Sequence, residues 1–203
     1  MNHTTRSESG SPTGMPPTLI VLLLALLLGL QPVTTDLYLP ALPAITEGFG
    51  ASMGQAQLTL TALLLAFGLS QLVWGPLSDR FGRRPILLWG VAAYVLASAA
   101  CALAPNMAWL IAARTLQGVA MGAGVMAARA VVRDLYPPTQ GAHVMSQALT
   151  GLGFIACTCA PIGGILTDRL GWRVALLALA VFGVFTFGLL LWRFQETLAR
   201  PDP

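Results

Sequence analysis

Lysine is missing from this chain: all eleven basic residues are arginine. That gap excludes nothing by itself and reads as a coding bias. The general shortage of charge says more. Charged residues make up 9% of the 203 positions, against about 25% in an ordinary soluble domain. A long intrinsically disordered chain and a nucleic-acid-binding domain are therefore poor fits, and the net charge of +3 is too small to imply a polyanion partner. Three cysteines, all within apolar runs, do not make a disulfide framework. Cys157 and Cys159 form a C-x-C on opposite helix faces, and His143 is too distant to join them, so a metal site is not expected. Polar low-complexity sequence is also scarce. It is confined to the first 18 residues, a Ser, Thr, Gly and Pro-rich stretch that reads as a solvated tail.

What the chain has instead is apolar length. Apolar residues form 56% of it, and the mean hydropathy is +0.73. A bilayer core of roughly 30 Å needs about 20 such residues per helix, and six segments qualify: Pro17–Tyr38, Gln55–Trp74, Pro85–Leu103, Met107–Val132, His143–Leu166 and Trp172–Phe194. The breaks between them are a loop at Leu39–Gly54 and then GPLSDRFGRR, APN, RDLYPPTQ and TDRLG, each holding Pro, Gly or charge. The first span is not read as a cleaved signal peptide. Arg6 is offset by Glu8, and no small-x-small site follows Leu30. The expected organisation is a cytoplasmic tail over 1–16, an all-α six-helix membrane bundle over 17–198, and the start of a central cytoplasmic loop over 199–203.

The arginines give the orientation. With the N-terminus in the cytoplasm, Arg6, Arg80, Arg83, Arg84, Arg129, Arg133, Arg193 and Arg200 lie on the inner side, and only Arg169 and Arg173 lie outside. This is the positive-inside pattern, and it places both termini in the cytoplasm of an integral plasma-membrane protein, the inner membrane in a bacterium.

Two of the breaks resemble each other. Residues 75–84 read GPLSDRFGRR and residues 164–173 read GILTDRLGWR, with six identities in ten positions. The first joins spans two and three, the second spans five and six. Recurrence after three helices places the copies on opposite sides of the membrane, the mark of a 3+3 inverted repeat.

Several polar residues lie where the bilayer makes them costly. Asp36 ends the first span after Thr34 and Thr35. An ionisable group at that depth is a functional candidate, for proton exchange or substrate contact, or else a cap on the following loop. Arg114 lies about 10 Å into the fourth span, with Gln117 and Gly118 on its face. It either takes part in coupling with a group such as Asp36 or pins the bundle together. Gly118 and Gly122 form a small-xxx-small seam. Gln31, beside the helix-interior Pro32, lines a cavity or bonds a neighbouring helix. Asp79, Arg80, Arg83 and Arg84 form a candidate cytoplasmic latch, with Gly75 and Gly82 permitting its turn and Arg129 and Arg133 able to pair with Asp79. Trp74, Trp109, Trp172 and Trp192 lie near span ends, as interfacial anchors do.

The same residues carry a family resemblance. Gly75–Pro85 resembles the helix 2–3 signature of the major facilitator superfamily. Within it, Thr35–Pro43 (TDLYLPALP), Arg114–Gly118 (RTLQG) and Ala128–Tyr136 (ARAVVRDLY, with Arg129, Arg133 and Asp134) resemble the bicyclomycin-resistance (Bcr/CflA) subgroup of drug:proton antiporters, as does Glu196-Thr197-Leu198. Pro161, Gly163 and Gly164 fit the antiporter motif of the fifth helix, with Ala156 and Ala160 where glycines are usual. The resemblance implies the N-terminal half of a twelve-helix exporter. Its partners would be a lipophilic small molecule, protons, membrane lipid and either a missing C-terminal half or a second copy. It would use no cofactor beyond a proton gradient, bind no nucleic acid and perform no enzymatic reaction. The alternatives are an exporter of amino acids or other metabolites, and a half-bundle that folds without transporting.

Overall fold

The computed structural model describes residues 16–194 and 196. The positions expected to form most of the N-terminal tail and the start of a central loop, with Arg6 and Arg200, lie outside the described residues. Within them all regular structure is helical: α1 (Pro17–Asp36), a 3-10 turn (Leu39–Ala41), α2 (Leu42–Phe49), α3 (Met53–Phe81), α4 (Arg83–Ala102), α5 (Met107–Leu135), α6 (Pro138–Leu170) and α7 (Trp172–Arg193). Six stretches are long and apolar enough to cross a membrane, the first running from α1 through α2 and the others being α3 to α7.

The spans fall where hydropathy places them, but several run longer. α3 continues helical through Pro76, Asp79 and Arg80 to Phe81, and α6 runs from Pro138 through Asp168 and Arg169 to Leu170. What reads as a ten-residue loop at 75–84 is a single-residue turn at Gly82. A 29-residue helix is about 43 Å long, so its polar end projects beyond a hydrocarbon core of about 30 Å while keeping its backbone bonds. The expected loop at 39–54 also differs. Its apolar residues Leu42 and Ile45 are buried, and it folds as the 3-10 turn and α2. α3 then starts on a reciprocal cap, in which Gln55 N–H donates to Ser52 Oγ and Ser52 N–H donates to Gln55 Oε1.

The inverted repeat is visible in the backbone. Gly82 and Gly171 occupy the same position in the two sequence copies. They have nearly the same conformation, φ 95°, ψ 158° and φ 88°, ψ 158°, a region open essentially to glycine alone. The next residue is buried in both copies, Arg83 in one and Trp172 in the other. Burial follows the repeat as well. The related helices α1 and α5 are mostly enclosed, whereas α3 and α6 leave most of their apolar surface uncovered.

Close helix approach depends on small residues. A side chain at Gly118 would overlap the backbone of Leu63 on α3, and one at Gly163 the backbone of Leu37 after α1. Two apolar cores result. One, towards the arginine-rich end, is built on Leu24, Leu27, Leu87, Met121 and Val131. The other, towards the opposite end, is built on Tyr38, Ile45, Leu110, Leu176 and Leu179.

Candidate functional site

A buried polar network lies at the seam between the two cores. α5 carries Arg114 and Gln117 on one face, and both are fully buried. Arg114 Nη1 donates to Gln117 Oε1 at 2.7 Å, and Nη2 donates to the Thr34 carbonyl of α1 at 3.1 Å. The guanidinium lies over the ring of Tyr38, 3.9 Å from its centroid. Gln117 Nε2 donates to Ser98 Oγ on α4 at 2.7 Å, and Ser98 Oγ donates to the Tyr94 carbonyl at 2.7 Å. The Tyr94 hydroxyl meets Thr34 Oγ1 at 2.7 Å and closes the circuit back to α1. The Tyr38 hydroxyl meets Thr59 Oγ1 on α3, also at 2.7 Å. Residues of α1, α3, α4 and α5 thus join one network, in which the guanidinium itself contacts Gln117, Thr34 and Tyr38.

No ion pair of Arg114 occurs among the described residues, and its Nε finds no acceptor. A buried charge without a countercharge is costly. The tyrosine face, two carbonyl oxygens and a helix-spanning amide network offset that cost in part. Asp36, two residues beyond the carbonyl that holds Arg114, is half-buried. One carboxylate oxygen accepts from Thr35 Oγ1 at 2.9 Å. Gln31 is half-buried one turn before Thr35 and outside the network.

A second polar cluster forms at the arginine-rich end, among residues of the candidate latch. Arg83 is its centre and is 1% exposed. Nη1 lies 2.6 Å from Asp79 Oδ1 and donates to Ser78 Oγ at 3.0 Å, while Nε donates to Asp134 Oδ2 of α5 at 2.9 Å. Arg129 and Arg133, which the sequence leaves able to pair with Asp79, are exposed, and no ion pair of theirs occurs among the described residues. They lose to Arg83 because the Gly82 turn places it one helix turn from Asp79. Arg80 and Arg84 also point outward, Arg80 over the Phe81 ring. Glu196 adds a contact across the end, accepting from the backbone N–H of Arg83 at 2.9 Å and of Arg84 at 3.1 Å. Gly75 packs against Met126 of α5. At the opposite end the equivalent position is aromatic: Trp172 packs on Phe49 of α2, 5.2 Å between ring centroids, with Arg173 above it.

On the uncovered face of α3, an open groove of about 570 Å³ runs along Leu65, Leu69, Val73 and Trp74, with Ser70 beneath and Thr115 of α5 at its side. Trp74 closes the expected apolar span, and α3 runs on past it. Its indole N–H donates to the Val119 carbonyl at 2.8 Å. In α6, Pro161 is exposed, Gly163 is buried against Leu37, and Gly164 is half-buried near Pro40. The residues that sequence reasoning missed are Tyr94, Ser98 and Tyr38. Hydroxyls in apolar spans were the only available signal.

A six-span bundle built as two inverted triplets around buried charge is the frame of a membrane transporter. The chain belongs to the Major Facilitator Superfamily, whose family model matches residues 23–203. It is 36% identical over 176 residues to Multidrug resistance protein D of Escherichia coli, covering 85% of this chain and 44% of that protein. It is 38% identical over 160 residues to the Chloramphenicol resistance protein of Pseudomonas aeruginosa, covering 78% of this chain and 38% of that one. An uncharacterized MFS-type transporter of Bacillus subtilis is 36% identical over 191 residues, 93% of this chain and 47% of its own length. The chain thus spans less than half the length of these relatives. Among solved structures, a D-xylose-proton symporter superposes with a TM-score of 0.77 at 15% identity, over 89% of this chain and 48% of the symporter. The human organic anion transporter MFSD10 gives 0.72 at 22%, over 93% and 50%. These last two show a shared fold. The protein is an integral membrane protein of a transporter family.

Proposed function

We propose that this chain acts as one six-helix half of a proton-coupled exporter of lipophilic small molecules, of the kind the Bcr/CflA resemblance implies. The observation that carries the reading is the fully buried Arg114, bonded to Gln117 of α5 and to the Thr34 carbonyl of α1 with no carboxylate partner among the described residues, Thr34 standing two residues before the ionisable Asp36. Arginine keeps its charge under any physiological condition, so the variable charge is that of Asp36. An ionised Asp36 is drawn towards the Arg114 cation, and protonation releases it. Because Thr34 and Asp36 share the last turn of α1, that exchange moves α1 against α5, the two enclosed, repeat-related helices. Proton binding is thereby linked to the tilt of one triplet against the other.

The groove on α3 supports the substrate class. Its volume falls within the range of small-molecule sites, roughly 300–1,000 Å³, and its walls are almost wholly apolar. That favours a lipophilic drug over an amino acid, in keeping with relatives named for multidrug and chloramphenicol resistance. The uncovered faces of α3 and α6 are where a second half would seat. The inward-facing end in this reading is the arginine-rich one, with both termini in the cytoplasm of the inner membrane.

The test is Asp36→Asn in the chain supplied with a second half. Efflux driven by a pH gradient should be lost, while drug-for-drug exchange at equal pH on both sides persists. Retention of gradient-driven efflux removes Asp36 from the mechanism.

A further inference from the structure

Arg83 and Arg84 are adjacent and have opposite fates. Arg83 turns inward to two carboxylates. Arg84 turns outward and is exposed, and no ion pair of its guanidinium occurs among the described residues. It stands at the mouth of an open groove of about 380 Å³ between α4 and α7, walled by Leu88, Trp89, Ala92 and Phe187. Trp89 is 74% exposed along this wall. The groove runs inward from the arginine-rich end. From Arg84 to Ala92 is about 12 Å along α4, most of the roughly 15 Å of one hydrocarbon leaflet.

The groove is open, and its lining comes from α4 and α7 with no residue of α3. A cation at its mouth and continuous apolar surface below match an amphiphile with an anionic head and a hydrocarbon tail. The Glu196 carboxylate accepts from the backbone N–H groups of Arg83 and Arg84. We propose that the α4–α7 groove is a binding site for one anionic phospholipid, with the headgroup phosphate on the Arg84 guanidinium and an acyl chain against Leu88, Trp89, Ala92 and Phe187. A comparable groove on the other flank of α7, near Leu19, Leu22 and Trp192, does not compete equally. Its Arg193 is stacked on its own Trp192, 4.1 Å from the ring centroid. Arg84 has no such stacking partner among the described residues.

Native mass spectrometry of the detergent-purified chain tests this. Phosphatidylglycerol and phosphatidylethanolamine with identical acyl chains are offered at equal concentration. The wild-type chain should retain one phosphatidylglycerol in preference to phosphatidylethanolamine. Arg84→Gln should weaken that retention about fivefold, the size of one surface arginine–lipid contact, and bring the two lipids level. Arg84→Lys should keep the preference. Trp89→Ala combined with Phe187→Ala should weaken both lipids alike, and Arg169→Gln, the same charge change at the opposite end, should alter neither. An equal loss in Arg84→Gln and Arg169→Gln overturns the proposal, as does a wild-type chain without headgroup preference. Displacement of phosphatidylglycerol by millimolar inorganic phosphate also overturns it, because the site would then be one for a free anion.

Discussion

Two buried arginines sit at comparable burial in opposite electrostatic settings. Arg83 has two carboxylates within 2.9 Å, whereas Arg114 has carbonyl oxygens and an aromatic face. The first arrangement suits a fixed lock, because cation and anions satisfy each other. The second suits a group awaiting a charge that comes and goes. Truncating Arg83 should be costly, since Asp79 and Asp134 lose their shared cation. Breaking a buried pair costs about 3–5 kcal/mol, and the partial exposure of both carboxylates lowers the expectation to about 2 kcal/mol after screening. Arg83→Ala should therefore lower the melting temperature clearly in a thermal-shift series, while Arg84→Ala, at an exposed site, should stay within about 0.5 kcal/mol of wild type. Equal shifts in both variants would contradict the assignment of the lock to Arg83.

At the scale of the element, the two single-residue turns decide where helices stop. Gly82 and Gly171 end α3 and α6 in a backbone region closed to side chains, and at Gly82 a Cβ would also lie 2.7 Å from Glu196 Oε2. Gly82→Ala and Gly171→Ala should each destabilise the bundle by at least about 1 kcal/mol. Gly68→Ala, in the interior of α3 with open space around it, should be neutral or stabilising by up to about 1 kcal/mol through helix propensity. Melting of the three variants side by side checks this; a stabilised Gly171→Ala would remove the turn from its role.

These elements show how far the sequence could be read. The six spans were legible because a bilayer demands about 20 apolar residues, and the repeat because its glycines must recur. The helix ends were not, because Asp79, Arg80 and Asp168 read as loop residues, although a helix that outruns the hydrocarbon keeps charge on its last turns. Arg114 and Gln117 stood out against an apolar run. Tyr94, Ser98 and Tyr38 did not, since a hydroxyl in an apolar run shows no partner in sequence, and one such as Ser98 satisfies itself on its own i−4 carbonyl at Tyr94. Only the packing of α1, α4 and α5 shows that the same hydroxyls also bridge helices. Asp36 was read at a plausible depth, but its contact with Thr35 rather than Arg114 depends on a rotamer that sequence does not carry.

For the whole molecule, the inverted repeat sets the topology. Cysteines introduced at the exposed positions Arg84 and Asp168, in a chain lacking its three native cysteines, should react with impermeant reagents from opposite sides of the membrane, Arg84 from the cytoplasm. Labelling of both from one side would break the six-span arrangement.

On the proposed function, transport needs two six-helix halves, because one half leaves α3, α6 and the groove between α3 and α5 uncovered. That need is tested most directly by the drug flux of proteoliposomes under an imposed pH gradient as the number of chains per vesicle is varied. Vesicles holding a single copy of this chain should show no flux. If two copies can pair, flux should rise with the square of chain density, and a supplied second half should restore it at low density. A constant flux per chain that persists at one chain per vesicle would contradict the account.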